Sequence, residues 1–349
     1  EIKLRTVKKS IIGVTHRDQV GFAAEFMGRA GGLSEVYGAK GKKEGPDYAV
    51  LSCIRYWEDD AGKVAKVLGR ALEAGQTTIL FAPTNGVPQD FPASCVIDNG
   101  DTTGSSNAAA LNAIVNVSCA WIWCCEYTSA LTRQGKRPGI LMSTIFEEAT
   151  NFNKEVRSST GGLWDCETKI PEGELAGLYL ARLERAVADL AGTKIQSQIE
   201  KAADIIAARI NDGKPVLAST CNHFLKEEIN LDLKSPWKPF RPYKDGFEKN
   251  LKQGDLLIWM AYVGTDTAAF EHGAEIEKSG ADMIACFVPH TDPAKNAPKA
   301  LAQIDQPWEI GDAEIVIPFP PGKMAPVSGV IQALLYRMLD EAVAARLKK

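Results

Sequence analysis

The residues best able to do chemistry lie in a few short stretches. His223 stands at a strand-to-helix turn and opens a predicted helix that carries Glu227 and Glu228 directly after Lys226. Imidazole and carboxylate groups can move protons near neutral pH, so these three form a candidate acid–base set. His290 follows a predicted strand directly and can face the same crevice, and His16 occupies an earlier strand-to-helix turn. His272 falls inside a predicted helix and is assigned no chemistry. Arg17 and Arg55 lie in turns of the first half, where a guanidinium could hold a phosphate or carboxylate through two parallel hydrogen bonds. Each residue also has a plain structural reading. One of the two glutamates can be a solvated or salt-bridged surface group, the histidines can cap their helices, and Arg55 can be a salt-bridged surface residue. The sequence leaves these alternatives open.

Other chemistries find no support. The chain has no GxxxxGK[ST] loop, no GxGxxG after a first strand and no GxSxG elbow. A formal charge of -4 and a pI near 5.8 give no electrostatic reason to expect nucleic acid. No apolar run is long enough to span a bilayer, so neither nucleic acid nor membrane is expected as a partner. The eight cysteines show no CxxC or Cys/His spacing, and no metal site is expected. Cys53 and Cys286 sit in predicted buried strands and Cys119, Cys124 and Cys125 on a predicted apolar helix, which reads as buried free thiols. Trp121-Ile-Trp123 reads as a packed helix face or a subunit contact. The chain starts at Glu1 without Met, which leaves the compartment open.

The elements that must position the candidates follow one plan stated twice, from about Ser10 to Gly135 and from about Lys214 to Leu347. In the first copy the strand Asp47-Tyr-Ala-Val-Leu-Ser-Cys53 leads through an acidic turn into a helix with Val64, Val67, Leu68, Ala71 and Leu72 at helical spacing. Gly75 closes it, and Thr77-Thr-Ile-Leu-Phe-Ala-Pro83 follows. In the second copy Asp255-Leu-Leu-Ile-Trp-Met-Ala261 leads through Gly264 into a helix ending at Gly280, followed by Asp282-Met-Ile-Ala-Cys-Phe-Val-Pro289. Continuous apolar strands alternating with helices are what a parallel sheet covered on both faces requires. The fold class is α/β, and 349 residues at 45% hydrophobic suffice for two cores.

Between the copies the sequence changes character. From Ser143 to Gly173 it is rich in turn formers, with Asn151-Phe-Asn, Ser158-Ser-Thr-Gly-Gly162 and Pro171-Glu-Gly. The expected organisation is a first domain over residues 1–142, a linker over 143–173 and a second domain over 174–349. Two leading helices open the second domain, carrying Leu175, Leu178, Tyr179, Ala186, Val187 and Leu190, then Ile195, Ile199, Ala202, Ile206 and Ile210, with a break at Gly192. One of them can pack on the first domain, which would make the halves interdependent.

Three stretches carry a family resemblance. Ile11-Ile-Gly-Val-Thr-His-Arg-Asp through Ala24-Glu-Phe-Met-Gly-Arg-Ala-Gly-Gly-Leu33 resembles the first strand, turn and helix of SIS (sugar isomerase) domains, most closely at Arg29-Ala-Gly-Gly-Leu33. Val216-Leu-Ala-Ser-Thr-Cys-Asn-His-Phe-Leu-Lys-Glu-Glu228 resembles the same element in the second copy, and Ala325-Pro-Val-Ser-Gly-Val-Ile-Gln-Ala-Leu-Leu335 the closing turn and helix. The pairing is similar to the isomerase half of glucosamine-6-phosphate synthases and to fructosamine-phosphate deglycases. The resemblance implies two three-layer αβα domains, each with a mostly five-stranded parallel sheet wound like flavodoxin. It also implies a homodimer, by analogy a cytoplasmic one, that binds a sugar or sugar phosphate without a cofactor.

The resemblance also implies a site. In SIS domains the turn after the third strand usually reads Ser-x-Ser-Gly, whose hydroxyls and backbone N–H groups cradle phosphate. Here Ala261-Tyr-Val-Gly-Thr-Asp-Thr267 keeps Gly264 but replaces both serines, leaving Thr265 and Thr267 to supply hydroxyls beside Asp266. In the first copy Arg55 and Tyr56 stand at the second serine and the glycine. The implied substrate-binding set is Ser219, Asn222, Tyr262, Gly264, Thr265, Thr267, His16, Arg17 and Arg55. The implied catalytic set is Glu227, Glu228, His223 and His290, although the family's Gly-Glu-Leu-Lys-His-Gly-Pro loop is absent and Trp237-Lys-Pro-Phe-Arg-Pro-Tyr243 stands near its place. The expected function is phosphosugar binding with aldose–ketose isomerase or deglycase activity. A non-catalytic sugar sensor and a structural dimer with a crevice filled by Tyr56, Trp57 or Tyr262 are the alternatives.

Overall fold

A computed structural model describes residues 11–14, 20–38, 48–54, 57–83, 87–100, 108–158, 163–220, 223–231, 238–239, 251–263, 276, 278–289 and 300–347. The chain divides into two compact units, one formed by the residues up to Ala181 with Ala313–Pro326, the other by Arg182–Asp312 with Val327–Lys349. Neither is a single continuous stretch of chain.

The first unit holds a parallel sheet of β1 (Ile11–Val14), β2 (Val36–Gly38), β3 (Tyr48–Cys53), β4 (Thr77–Ala82) and β5 (Cys95–Asp98), in the order β2-β1-β3-β4-β5. Strand β4 is almost fully buried from Ile79 to Ala82, as its unbroken apolar run requires between two helical layers. Helix α1 (Val20–Phe26) buries Phe22, Ala23 and Phe26. Helix α2 (Trp57–Glu73) buries Val64, Leu68 and Ala71 one turn apart, and ends in a left-handed Gly75 with φ of 76°. The closing helix α3 (Ala108–Arg133) is apolar over most of its circumference and buries Trp121, Cys124 and Cys125. Its buried hydroxyls donate back to carbonyls one turn earlier, Ser118 to Ile114, Thr128 to Cys124 and Ser129 to Cys125, so their burial leaves no donor unpaired.

The stretch expected as a linker is structured. It contains β6 (Lys136–Pro138) paired antiparallel with β7 (Leu163–Asp165), and between them α4 (Ala149–Ser158), all within the first unit. Helix α4 was hidden because only Ala149 and Val156 are buried on it. Helix α5 (Glu174–Leu190) contributes Leu175 and Tyr179 to this unit, and the Tyr179 hydroxyl donates to the carbonyl of Pro326.

The second unit begins its elements with α6 (Thr193–Asn211), β8 (Val216–Thr220), α7 (His223–Leu231) and β9 (Lys238–Pro239). Then follow β10 (Leu256–Val263), β11 (Asp282–Val288), β12 (Ala302–Asp305) and, after the chain has visited the first unit, the closing helix α8 (Ser328–Leu347). Its sheet reads β9-β8-β10-β11-β12, and every described pair in it is parallel. Position by position this is the winding order of the first sheet. Leu257, Trp259, Ala261, Met283, Ala285 and Phe287 form one buried face of it with Leu251 and Ile276.

The visit to the first unit is the antiparallel hairpin of β13 (Ala313–Val316) and β14 (Lys323–Pro326). It docks on Gly31, whose carbonyl accepts from the Ala325 N–H. A Cβ at Gly31 would lie 2.8 Å from the Ala313 Cβ and 3.0 Å from the Ala325 nitrogen, and its φ of 73° is left-handed. Arg137 lies over the rings of both Trp164 and Phe319, 5.1 and 5.5 Å from their centroids, which ties β6, β7 and the hairpin loop together. The Arg29-Ala-Gly-Gly-Leu33 stretch therefore works in packing. Arg29 pairs with Glu25 at 3.4 Å, both almost wholly buried, and Leu33 bridges to Ile140.

Candidate functional site

In an open sheet of this order the connections from the first and third strands diverge, and ligands settle outside the carboxyl ends beside that divergence. In the second unit the two flanking strands are β8 and β10, and several expected site residues lie at their ends.

Ser219 is the penultimate residue of β8 and sits beside Trp259 of β10 in register. It is 1% exposed, and among the described residues its Oγ has no hydrogen-bond partner. His223 and Glu227, the first and fifth residues of α7, fall one helical turn apart on one stripe, and both are half-buried. Glu228 is turned inward with Phe224, Leu225 and Ile229 and is 4% exposed, which separates the roles open to the two adjacent glutamates. Tyr262 continues the backbone of β10. His290, Asn222, Gly264, Thr265, Thr267, His16, Arg17 and Arg55 lie outside the described residues, as do Tyr56 and the Trp237–Tyr243 loop apart from the backbone of β9.

The strand ends also carry a set of amides that the sequence reading did not single out. Gln306 follows β12 directly, Gln332 lies in the second turn of α8, and both are buried. The Gln332 Nε2 group donates to the Ala261 carbonyl at 3.1 Å and to the Gln306 Oε1 at 2.9 Å, while its Oε1 accepts from the Thr220 hydroxyl at 3.2 Å. Gln306 donates to the Ala261 carbonyl at 3.2 Å and to the carbonyl of Cys286. The first unit has a shorter counterpart. Asn99 follows β5 and donates at 2.6 Å to Asn116 of α3, which donates at 3.0 Å to the carbonyl of Ile54, just past β3. An amide within an apolar helical run, Asn116 in Ile114-Val-Asn-Val117 and Gln332 in Val330-Ile-Gln-Ala333, is the sequence signal that could have found the two helical members.

Four of the cysteines are poorly placed to act as nucleophiles. Burial pushes the thiols of Cys124, Cys125 and Cys286 well up from their ordinary range, and burial with the nearby Asp98 charge raises Cys119, which disfavours the reactive thiolate at all four. Among the described residues no three His, Cys, Asp or Glu side chains gather as a metal site, and no described helix is long and apolar enough to cross a membrane.

Two three-layer αβα sheets in the order 2-1-3-4-5 define the class, a doubly wound α/β protein. The particular fold is that of the SIS-type sugar isomerases. The chain superposes on the C-terminal domain of glucosamine-fructose-6-phosphate aminotransferase from Francisella tularensis with a TM-score of 0.58 and 10% identity, over 97% of this chain and 85% of that one. Candidate phosphosugar isomerases from Clostridium difficile 630 and Salmonella typhimurium LT2 give TM-scores of 0.55 and 0.52 at 9% and 11% identity. Those two alignments cover 98% and 99% of this chain, and 85% and 88% of the other chains. No protein-family model matches the chain, and no curated protein matches it in sequence. The likeness is one of fold, as the three resembling stretches implied.

Proposed function

We propose that the protein binds a phosphorylated sugar or a related carbohydrate derivative at the carboxyl ends of β8 and β10, and that His223 and Glu227 are the acid–base pair of an aldose–ketose isomerase or deglycase. Ser219 is the observation that carries this reading. A buried hydroxyl without a partner costs about 1–3 kcal/mol, and a purely structural site would be expected to hold alanine there. A sugar hydroxyl or phosphate oxygen supplies the missing partner. The solved structures of the same fold include candidate phosphosugar isomerases, which supports the substrate class.

Isomerisation needs a base to take a proton from one carbon and return it to the next, and a partially desolvated carboxylate one turn from an imidazole suits that task. Thr265, Thr267, Asn222 and Tyr262 would contact the ligand from the adjoining turns, with His290 as a further acid or base. In this reading the two units are two copies of one plan, two chains associate as a homodimer, and His16, Arg17 and Arg55 form the lesser site of the first unit. One observation favours a sensor instead. Ala261 stands where the family has a serine, and its carbonyl is engaged by two amides, so the usual phosphate cradle is reduced.

A thermal-shift series against hexose and aminosugar phosphates, their unphosphorylated parents and sugar acids separates the readings, because a ligand of the native state raises the melting temperature with occupancy. Each stabilising compound is then incubated and followed by NMR. Conversion supports the isomerase, binding without conversion supports the sensor, and no shift at saturating concentration contradicts both.

A further inference from the structure

Strand β10 contains an extra residue. Met260 pairs with Cys286, but the next pair is Val263 with Val288, so Ala261 and Tyr262 together face Phe287. A bulge of this kind leaves carbonyls without ladder partners and redirects the chain, and bulges recur beside binding sites for that reason. Here the carbonyls of Ala261 and Cys286 both accept from the Gln306 amide, which joins β10 and β11 beside the extra residue. Gln332 stands behind it and reaches the other way, joining the Thr220 hydroxyl at the end of β8 to the Ala261 carbonyl of β10. It therefore staples together the two strands that flank the topological switch point, where ligands of such sheets bind.

A regular ladder would satisfy the same carbonyls with backbone alone, and apolar side chains could then fill the space. Two glutamines at 0% and 1% exposure, with every Nε2 proton used, are explained by keeping the bulged geometry. We propose that Gln332 and Gln306 are positioning residues that set the spacing of the β8 and β10 ends and the direction in which β10 leaves the sheet toward the ligand. This assignment rests on the sugar-binding reading of that crevice. Neither amide has a hydrogen-bonding group left to touch substrate with its nitrogen, so their effect is exerted through Thr220 and Ala261.

The test uses the full chain with Gln332→Met and Gln306→Met, which keep side-chain volume and remove the amide. Hydrogen exchange of the ligand-free protein is read at Thr220 and Ala261–Val263, with Leu256–Ile258 at the other end of β10 as the internal control. Affinity for glucosamine 6-phosphate is read by calorimetry. The proposal expects exchange at the strand ends to rise roughly tenfold, the equivalent of one lost buried hydrogen bond, with the control unchanged and affinity falling about tenfold. Thr220→Val, which removes only one strand of the staple, should show the same pattern at about threefold and stands in should either methionine variant fail to fold. Exchange that rises evenly along β10, or not at all, overturns the proposal, as does a local rise with affinity unchanged. Should the wild type ignore glucosamine 6-phosphate, affinity is read with the compound that the thermal-shift series finds stabilising; should none stabilise, the sugar reading fails, and the exchange pattern alone decides whether the amides hold the strand ends.

Discussion

In the first unit the closing helix reaches the end of the central strand with an asparagine, in the second with a glutamine. Asn116 meets the Ile54 carbonyl and accepts from Asn99, and among the described residues the Asn99 Oδ1 is buried without a partner. Gln332, one carbon longer, meets the Ala261 carbonyl, donates to Gln306 and also reaches Thr220 of the neighbouring strand. The same winding order thus carries two strengths of one device. Among the described residues only the second spans the pair of strands where a ligand is expected, and the principal site is therefore proposed in the second unit. The units differ also in how they are completed. The first borrows the hairpin of β13 and β14 from a distant part of the chain, whereas the second covers its sheet with α6 and α8, and Asp305 at the end of β12 is held by Gln198.

That contrast can be broken at several points. The largest effect belongs to Gly31→Val. A left-handed β-branched residue whose Cβ meets the hairpin backbone at 3.0 Å combines strain with overpacking and should destabilise the protein by about 3–5 kcal/mol in urea unfolding. An effect below about 1 kcal/mol would mean that the hairpin does not depend on this contact.

Next comes Asn116→Leu. It strips the Ile54 carbonyl and the Asn99 amide of their partners at once and should cost about 2–4 kcal/mol. With the principal site proposed at the ends of β8 and β10, affinity for a sugar phosphate should stay within about twofold of wild type. A tenfold loss would move the site to the first unit.

Ser219→Ala should act with the opposite sign on stability. Removing an unpaired buried hydroxyl raises stability by up to about 1 kcal/mol, while ligand affinity falls because the hydroxyl was kept for a partner. A destabilised variant with unchanged affinity would remove the main support for the sugar site.

The smallest effect is pH-dependent. Burial raises the Asp305 carboxyl, but hydrogen bonds from Lys194, Gln198 and Gln303 outweigh it and hold the group below the ordinary carboxylate range. A carboxyl depressed in the folded state stabilises above its unfolded value near 4, and that contribution is lost as the pH falls through the lower folded value. Lys194 is 76% exposed, so Lys194→Met should cost only a few tenths of a kcal/mol at pH 7, less in high salt, and nothing once Asp305 is protonated. Equal differences at pH 7 and pH 2 would show that Lys194 acts by packing.

The sheets were legible because they are written as unbroken apolar runs. Tyr48–Cys53, Thr77–Ala82, Leu256–Val263 and Asp282–Val288 fall where the alternation of strand and helix predicts. Helix α4 was not legible, since two buried residues in ten give no period to read. The hairpin of β13 and β14 could not be assigned to the first unit from sequence, because its partners Gly31 and Arg137 are remote along the chain. At the proposed site, His223, Glu227 and Glu228 were visible as titratable residues of one predicted helix, but which glutamate faces inward was not. The amides were not, because a single glutamine in an apolar helix resembles an accident until the carbonyl it caps is known.

The most direct test of the central claim is a hydrogen-exchange footprint of the wild-type protein with and without saturating glucosamine 6-phosphate. Added protection at Ser219, Thr220 and Ala261–Val263, with none at Ile54 or Asn99, is the result this account predicts. Protection confined to the first unit, or bound ligand that leaves the ends of β8 and β10 unchanged, would contradict it.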